Sequence, residues 1–126
     1  MMAERDSNAG KVVLLVEDEP LLRMMAVDLV EDAGFVAVEA ENADEAVRIL
    51  EARSDIVIVF TDIDMPGSMD GMKLAAAIRD RWPPIEIILT SGHIRAADVV
   101  LPERSVFYPK PYDTETVART MRGMAG

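Results

Sequence analysis

The sequence predicts an α/β domain built on a parallel sheet with helices on both faces. Three observations carry this expectation. Five short apolar runs rich in β-branched residues recur along the chain, stretches of helical spacing separate them, and acidic, hydroxyl or basic residues stand immediately after four of the runs. Strands buried on both faces read as unbroken apolar runs. Right-handed crossovers then place the connecting helices on both sides of the sheet. The chain has 126 residues, a normal size for one domain, and shows neither an internal repeat nor a linker.

The first strand is Lys11–Val16, KVVLLV. Pro20 suits the first turn of a helix, where its missing N–H is not needed, and Leu22, Met25, Leu29 and Ala33 recur at helical spacing until Gly34 stops it. Phe35–Ala40 makes a short second strand. Asn42 with Glu45 three residues on forms a capping-box-like start for a helix through Ala52. Ile56–Phe60, IVIVF, is the most β-prone run and leads straight into Thr61 and Asp62. Asp70 caps a third helix carrying Met72, Leu74, Ala75, Ile78 and Trp82, which Pro83 and Pro84 terminate. Ile85–Leu89 is a fourth strand ending at Thr90, Val106–Tyr108 a fifth just before Lys110, and Asp113 opens a last helix through Arg122. Ile94–Val100 has room for only two helical turns before Pro102, so a short or irregular fourth helix is expected. Residues 1–10 read as a flexible tail, 11–123 as the domain and 124–126 as a C-terminal tail.

Composition narrows the function classes. There is no cysteine, which excludes disulfides, thiolate catalysis and zinc-thiolate sites. The apolar runs fall far short of the ~20 residues of a membrane span, and the polar start MMAERDSNAG lacks a signal peptide's apolar stretch. A cytoplasmic address is expected. A net charge of −10 repels nucleic-acid phosphates and anionic lipid, so proteins and metal ions are the expected partners, with no nucleic acid and no membrane.

In a sheet of this kind the residues just beyond the carboxyl ends of the strands form the site. Here these are Glu17 and Asp18 after the first strand, Asp62 after the third, Thr90 and Ser91 at the end of the fourth, and Lys110 after the fifth. Carboxylates held together repel unless a cation sits between them, and hard oxygen donors with room for water and phosphate suit Mg²⁺. With the metal and Lys110 neutralising phosphoryl oxygens, a carboxylate can accept a phosphoryl group as an acyl phosphate. Asp62, at the centre, is the candidate acceptor.

Four motifs in chain order resemble those of the response-regulator receiver family, from about Lys11 to about Arg122. VEDEP at Val16–Pro20 is similar to the family's acidic pair, TDIDMPGSMDG at Thr61–Gly71 to its phosphorylation segment, TSG at Thr90–Gly92 to its switch hydroxyl, and Lys110-Pro111 to its lysine-proline. The resemblance implies a flavodoxin-like doubly wound five-stranded sheet of order 2-1-3-4-5. It implies that Asp62 takes phosphate from a sensor histidine kinase's phosphohistidine. Asp18, Asp62 and the main-chain carbonyl of Asp64 would then hold Mg²⁺, with Glu17 acting through water. Thr90 would bind a phosphoryl oxygen and move, Lys110 would pair with another, Phe107 would be the rotating switch aromatic, and the Lys110–Pro111 bond would be cis. Asp64 also falls where the family tunes dephosphorylation. Ser68 adds a residue to the loop after the acceptor, and the irregular fourth helix points to output away from the usual face of fourth helix, fifth strand and last helix.

Blander readings stand beside these. Glu17-Asp18-Glu19 can be a solvated helix start, Asp62 a turn cap, Thr90 and Ser91 loop polar groups, and Phe107 a core aromatic. His93, the only histidine, reads as a surface residue without a role, and the methionines as gap-fillers. Asp62-Ile63-Asp64 also resembles the D-x-D of haloacid-dehalogenase-type phosphatases, although that motif belongs after a first strand in a longer chain. A receiver-shaped adaptor that takes no phosphate is a third class. Only the last helix follows Lys110, so no attached output domain is expected, and action through a kinase, a histidine phosphotransfer protein or another protein partner is.

Overall fold

The five apolar runs become β1 (Val12–Val16), β2 (Val36–Ala40), β3 (Ile56–Asp62), β4 (Glu86–Ser91) and β5 (Ser105–Pro109) in one parallel sheet of order β2-β1-β3-β4-β5. The structure, a computed structural model, describes residues 10–67 and 69–126. The tail expected over residues 1–10 therefore lies, Gly10 apart, outside the described residues, as does Ser68. β1 is buried along its whole length, and β3 and β4 nearly so, which is why their sequences show no polar alternation.

Four helices cover the sheet: α1 (Pro20–Asp32), α2 (Ala43–Ala52), α3 (Gly71–Arg81) and α4 (Thr114–Ala125). Alternate strand residues point to opposite faces and make two cores. Leu14, Val16, Val59, Ile87 and Leu89 join Leu50 of α2 and Leu74 and Ile78 of α3. Val13, Leu15, Ile58, Phe60 and Ile88 join Val30 of α1 and Val117 and Met121 of α4. Each large aliphatic side chain so buried contributes about 1.5–3 kcal/mol.

The helix starts follow the sequence signals. Asn42 Oδ1 accepts the Glu45 N–H at 2.8 Å, and the Glu45 carboxylate accepts the Glu41 N–H at 2.6 Å. Asp70 Oδ1 accepts the Lys73 N–H at 2.9 Å. Gly34, at φ +102, ends α1 in a left-handed turn, its N–H donating to the Glu31 carbonyl at 3.0 Å.

Two expectations change. The last helix continues past Arg122 to Ala125, so residues 124 and 125 are helical rather than tail. Met124 and Ala125 pack on the second core, and Lys11 Nζ donates to the Ala125 carbonyl at 2.7 Å, which satisfies a helix end that sequence spacing left open. Of the apolar residues that recur at helical spacing, Leu29 of α1 and Ala33 just after it are buried, but Leu22 and Met25 are exposed, together with Leu21 and Met24. These two methionines therefore fill no gap in the core.

Where a fourth helix was expected to be short or irregular, there is a single 3₁₀ turn, Ala96–Asp98. The chain that replaces it is anchored by Arg79 of α3. Its guanidinium donates to the carbonyls of Glu103 at 2.7 Å, Pro83 at 2.6 Å, Ile85 at 2.8 Å and Arg104 at 3.3 Å. Arg104, at φ +54, adds a bond of its own to the Pro83 carbonyl. One planar cation thus ties the turn before β4 to the entry of β5.

Candidate functional site

Parallel strands in this register set their carboxyl ends side by side. Val16 of β1 lies opposite Thr61 of β3, Asp62 opposite Thr90 of β4, and Ser91 opposite Pro109 of β5. The residues that follow must meet at one edge. Glu17, Asp18 and Asp62 offer carboxylate oxygens that all lie within 4.8 Å of one another. Glu17 and Asp62 are buried, each 6% exposed, and Asp18 is half-buried. Lys110 Nζ donates to Asp62 Oδ2 at 3.0 Å and to Glu17 Oε1 at 3.4 Å. Thr90 is buried and shares with Glu17, Asp62 and Lys110 a cavity of about 380 Å³ that runs beneath α1. The Lys110–Pro111 bond is cis.

The free ends of these side chains are held by backbone donors. Glu17 Oε2 accepts the Glu19 N–H and Asp62 Oδ1 accepts the Asp64 N–H, both at 3.1 Å. Burial, with help from the neighbouring Asp62 charge, pushes the Glu17 carboxyl above its usual range despite Lys110 and the Glu19 amide. Burial works against the Lys110 ammonium, but its hydrogen bond to Asp62 and the charges of Asp62 and Glu17 outweigh that and raise its pKa. Three carboxylates around one ammonium leave negative charge in excess. All the donors are hard oxygens, so the cluster fits a hard divalent cation.

Gly71, the first residue of α3, is part of this geometry. Its N–H donates to the Ile63 carbonyl at 3.1 Å. A Cβ there would run into the Asp62 carbonyl oxygen and lie 2.6 Å from the Ile63 Cα. Only glycine lets the helix start this close to the strand that presents Asp62.

The structure thus brings together Glu17, Asp18, Asp62, Thr90 and Lys110 as the sequence indicates. Phe107 is not among them: it sits half-buried in β5 opposite Leu89, packed on the first core. Asp64 touches Asp62 through its amide, while its carboxylate turns to the loop after β4 and accepts from Ser91 Oγ at 2.7 Å, Gly92 N at 3.1 Å and His93 Nδ1 at 3.1 Å. His93, read from sequence as a residue without a role, therefore has a partner. The signal was available in the pairing of β3 with β4: with Asp62 opposite Thr90, the residue two beyond Asp62 faces the segment Ser91–His93.

A parallel sheet of this order with an acidic pocket and a lysine at its carboxyl edge defines a receiver-type α/β domain. The chain belongs to the response regulator receiver domain family, whose pattern matches residues 13–119. It is similar to the sensor kinase CckA of Brucella abortus (strain 2308), 33% identical over 123 residues, which cover 94% of this chain and 13% of the kinase. It is also similar to the nitrogen assimilation regulatory protein NtrX of Azorhizobium caulinodans, 35% identical over 82 residues, 64% of this chain and 18% of that protein. The chain therefore spans only a small part of these relatives. Among solved structures, the receiver domain from the hybrid histidine kinase CckA superposes with a TM-score of 0.76 at 28% identity, over 91% of this chain and 99% of that one. A response regulator receiver protein from Sinorhizobium medicae WSM419 gives 0.82 at 26% identity, over 92% and 94%. Asp62-Ile63-Asp64 thus lies in a signalling domain of two-component systems and begins at the last residue of the third strand, not after a first strand. No helix among the described residues is long and apolar enough to cross a membrane.

Proposed function

We propose that Asp62 accepts a phosphoryl group from the phosphohistidine of a sensor histidine kinase in a Mg²⁺-dependent reaction, in the cytoplasm. The observation that supports this best is a buried carboxylate within 4.8 Å of two others and 3.0 Å from a lysine ammonium, in the lining of a cavity. An Asp62 oxygen bonds phosphorus while the P–N bond breaks and its electron pair leaves with the imidazole. Mg²⁺, held by Asp18, Asp62 and the main-chain carbonyl of Asp64 with Glu17 acting through water, would supply charge neutralisation for the phosphoryl oxygens. Lys110 is already charged and oriented, so it can pass from the Asp62 carboxylate to a phosphoryl oxygen without reorganisation. Thr90 donates its hydroxyl to another oxygen and moves, and Phe107 follows as the switch aromatic.

The phosphorylated domain then acts through protein contacts, as a signal, as a relay to a histidine phosphotransfer protein, or as a drain on the kinase. With one 3₁₀ turn in place of a fourth helix, output by this reading avoids the usual face built on that helix. The test is intact mass after incubation with Mg²⁺ and acetyl phosphate, for wild type and Asp62→Asn. One phosphoryl gain, abolished by the substitution, supports the reading. No gain, with no binding of beryllofluoride, replaces it with a phosphate-independent adaptor.

A further inference from the structure

The Asp64 carboxylate is committed to one set of partners. A single oxygen, Oδ2, takes the Ser91 hydroxyl, the Gly92 amide and His93 Nδ1 at 2.7, 3.1 and 3.1 Å. Ser91 is itself pinned: it is 1% exposed, and its Oγ accepts the N–H of His93 at 3.0 Å and of Ile94 at 2.9 Å, which leaves its one proton for Asp64. An ionised carboxylate only accepts, so His93 presents a protonated Nδ1. All three donors thus converge on one oxygen of Asp64. The same residue donates its amide N–H to Asp62 Oδ1 at 3.1 Å. Asp64 therefore touches the acceptor with its backbone and the loop after Thr90 with its side chain.

We propose that Ser91, Gly92 and His93 form a catch that keeps the Asp64 carboxylate from acting as base in the hydrolysis of phosphorylated Asp62, with His93 as the positioning residue at its exposed end. This rests on Asp62 being the acceptor. In that hydrolysis a water oxygen bonds phosphorus, the P–O bond to Asp62 breaks with its electron pair returning to the carboxylate, and one water proton must be taken up. The Asp64 carboxylate, two residues past the acceptor, can take it only by swinging away from the loop at which its Oδ2 is aimed. Ser91 directly follows Thr90, so a movement of Thr90 toward the phosphoryl group pulls on the catch. The lifetime of the phosphoryl group is thereby coupled to the position of the loop that replaces the fourth helix.

The His93 side chain is 84% exposed, so its replacement leaves the core alone. The experiment loads the protein with acetyl phosphate and Mg²⁺, removes the donor by desalting, and follows loss of phosphate by intact mass. His93→Ala should lose phosphate about threefold faster or more, the scale set by one hydrogen bond to a charged group at a partly exposed site. His93→Asn, whose amide N–H can stand where Nδ1 stood, should return to the wild-type rate. In an Asp64→Ala background, His93→Ala should change nothing. A wild-type rate in His93→Ala, or an acceleration that persists without Asp64, overturns the catch and leaves the acceptor reading standing. Absence of any phosphoryl gain on wild type overturns both.

Discussion

Replacing Gly71 with alanine should displace the strand end that presents Asp62. The added Cβ would lie 2.6 Å from the Ile63 Cα and 2.9 Å from the Asp62 carbonyl carbon, and closer still to the Asp62 carbonyl oxygen. Carbon atoms rest at about 3.5–4.0 Å, so α3 and the end of β3 must part by about 1 Å. Backbone stands on both sides, and no side chain can rotate away. Overpacking of this kind costs about 1–3 kcal/mol, and alanine's better preference for a helix interior offsets little of it at the first position of α3. The net loss of about 1–3 kcal/mol should lower the melting temperature by several degrees. The chemical effect should be larger, because a misplacement of about 1 Å can cost on the order of 100-fold in rate. Urea unfolding gives the first quantity, and the initial rate of phosphoryl uptake from acetyl phosphate at saturating Mg²⁺ gives the second. Gly123→Ala is the control: in α4, with nothing within 4 Å of its Cβ, it should gain up to about 1 kcal/mol and leave uptake unchanged. A Gly71→Ala protein with wild-type midpoint and wild-type uptake would refute the reasoning.

Lys110→Met removes the ammonium beside Asp62 and Glu17 and should cost about 1–3 kcal/mol at neutral pH without metal, less than for a fully buried pair because Lys110 remains partly exposed; an unchanged urea midpoint would contradict this. The folded-state pKa of Lys110 is raised, so its stabilisation is intact below the ammonium's ordinary 10.5 and is lost as pH rises through the higher folded value. The stability gap between wild type and Lys110→Met should therefore hold from pH 7 to about 10 and close only above that. Mg²⁺ at about 100 times its dissociation constant should stabilise the wild type by about 2.7 kcal/mol, and Asp18→Asn should lose most of this gain in thermal melts. Arg79→Ala should speed amide exchange across residues 99–105 and cost about 1–2 kcal/mol, and Arg79→Lys should rescue little, since an ammonium cannot span four carbonyls.

The parts of the fold that were legible in the sequence are those in which local chemistry and burial agree. IVIVF could only be a strand buried on both faces, and Asn42 with Glu45 or Asp70 before Gly71 could serve as caps without reference to the rest of the chain. The acidic site was legible because strand ends in a parallel sheet meet at one edge, so Glu17, Asp18, Asp62, Thr90 and Lys110 needed only the strand order. What escaped depends on contacts between distant segments. The extra turn of α4 rests on core packing by Met124 and on Lys11, far away in the chain. The exposure of Leu22 and Met25 follows from α1 overhanging the cavity beside Asp62, which helical spacing alone does not reveal. Arg79 looks like any charged residue on a helix, and nothing local announces four carbonyl partners. His93 needed one step more than the acidic site, since its partner lies across the β3–β4 pair and shows only once that pairing is laid out.

The Arg79 clasp also divides the surface into a part that can be rewritten and a part that cannot. It grips the chain at residues 83–85 and 103–104, and Ser91 holds the near end through Asp64. Between these anchors the only regular structure is one 3₁₀ turn, and Val100 is 85% exposed. A loop closed at both ends tolerates insertion well, since doubling its length costs only about 0.6 kcal/mol. A peptide grafted at Val100 should thus reshape a whole flank of the molecule while the strands on either side keep their register. That makes the segment a place where new binding specificity can be built without moving the carboxylates.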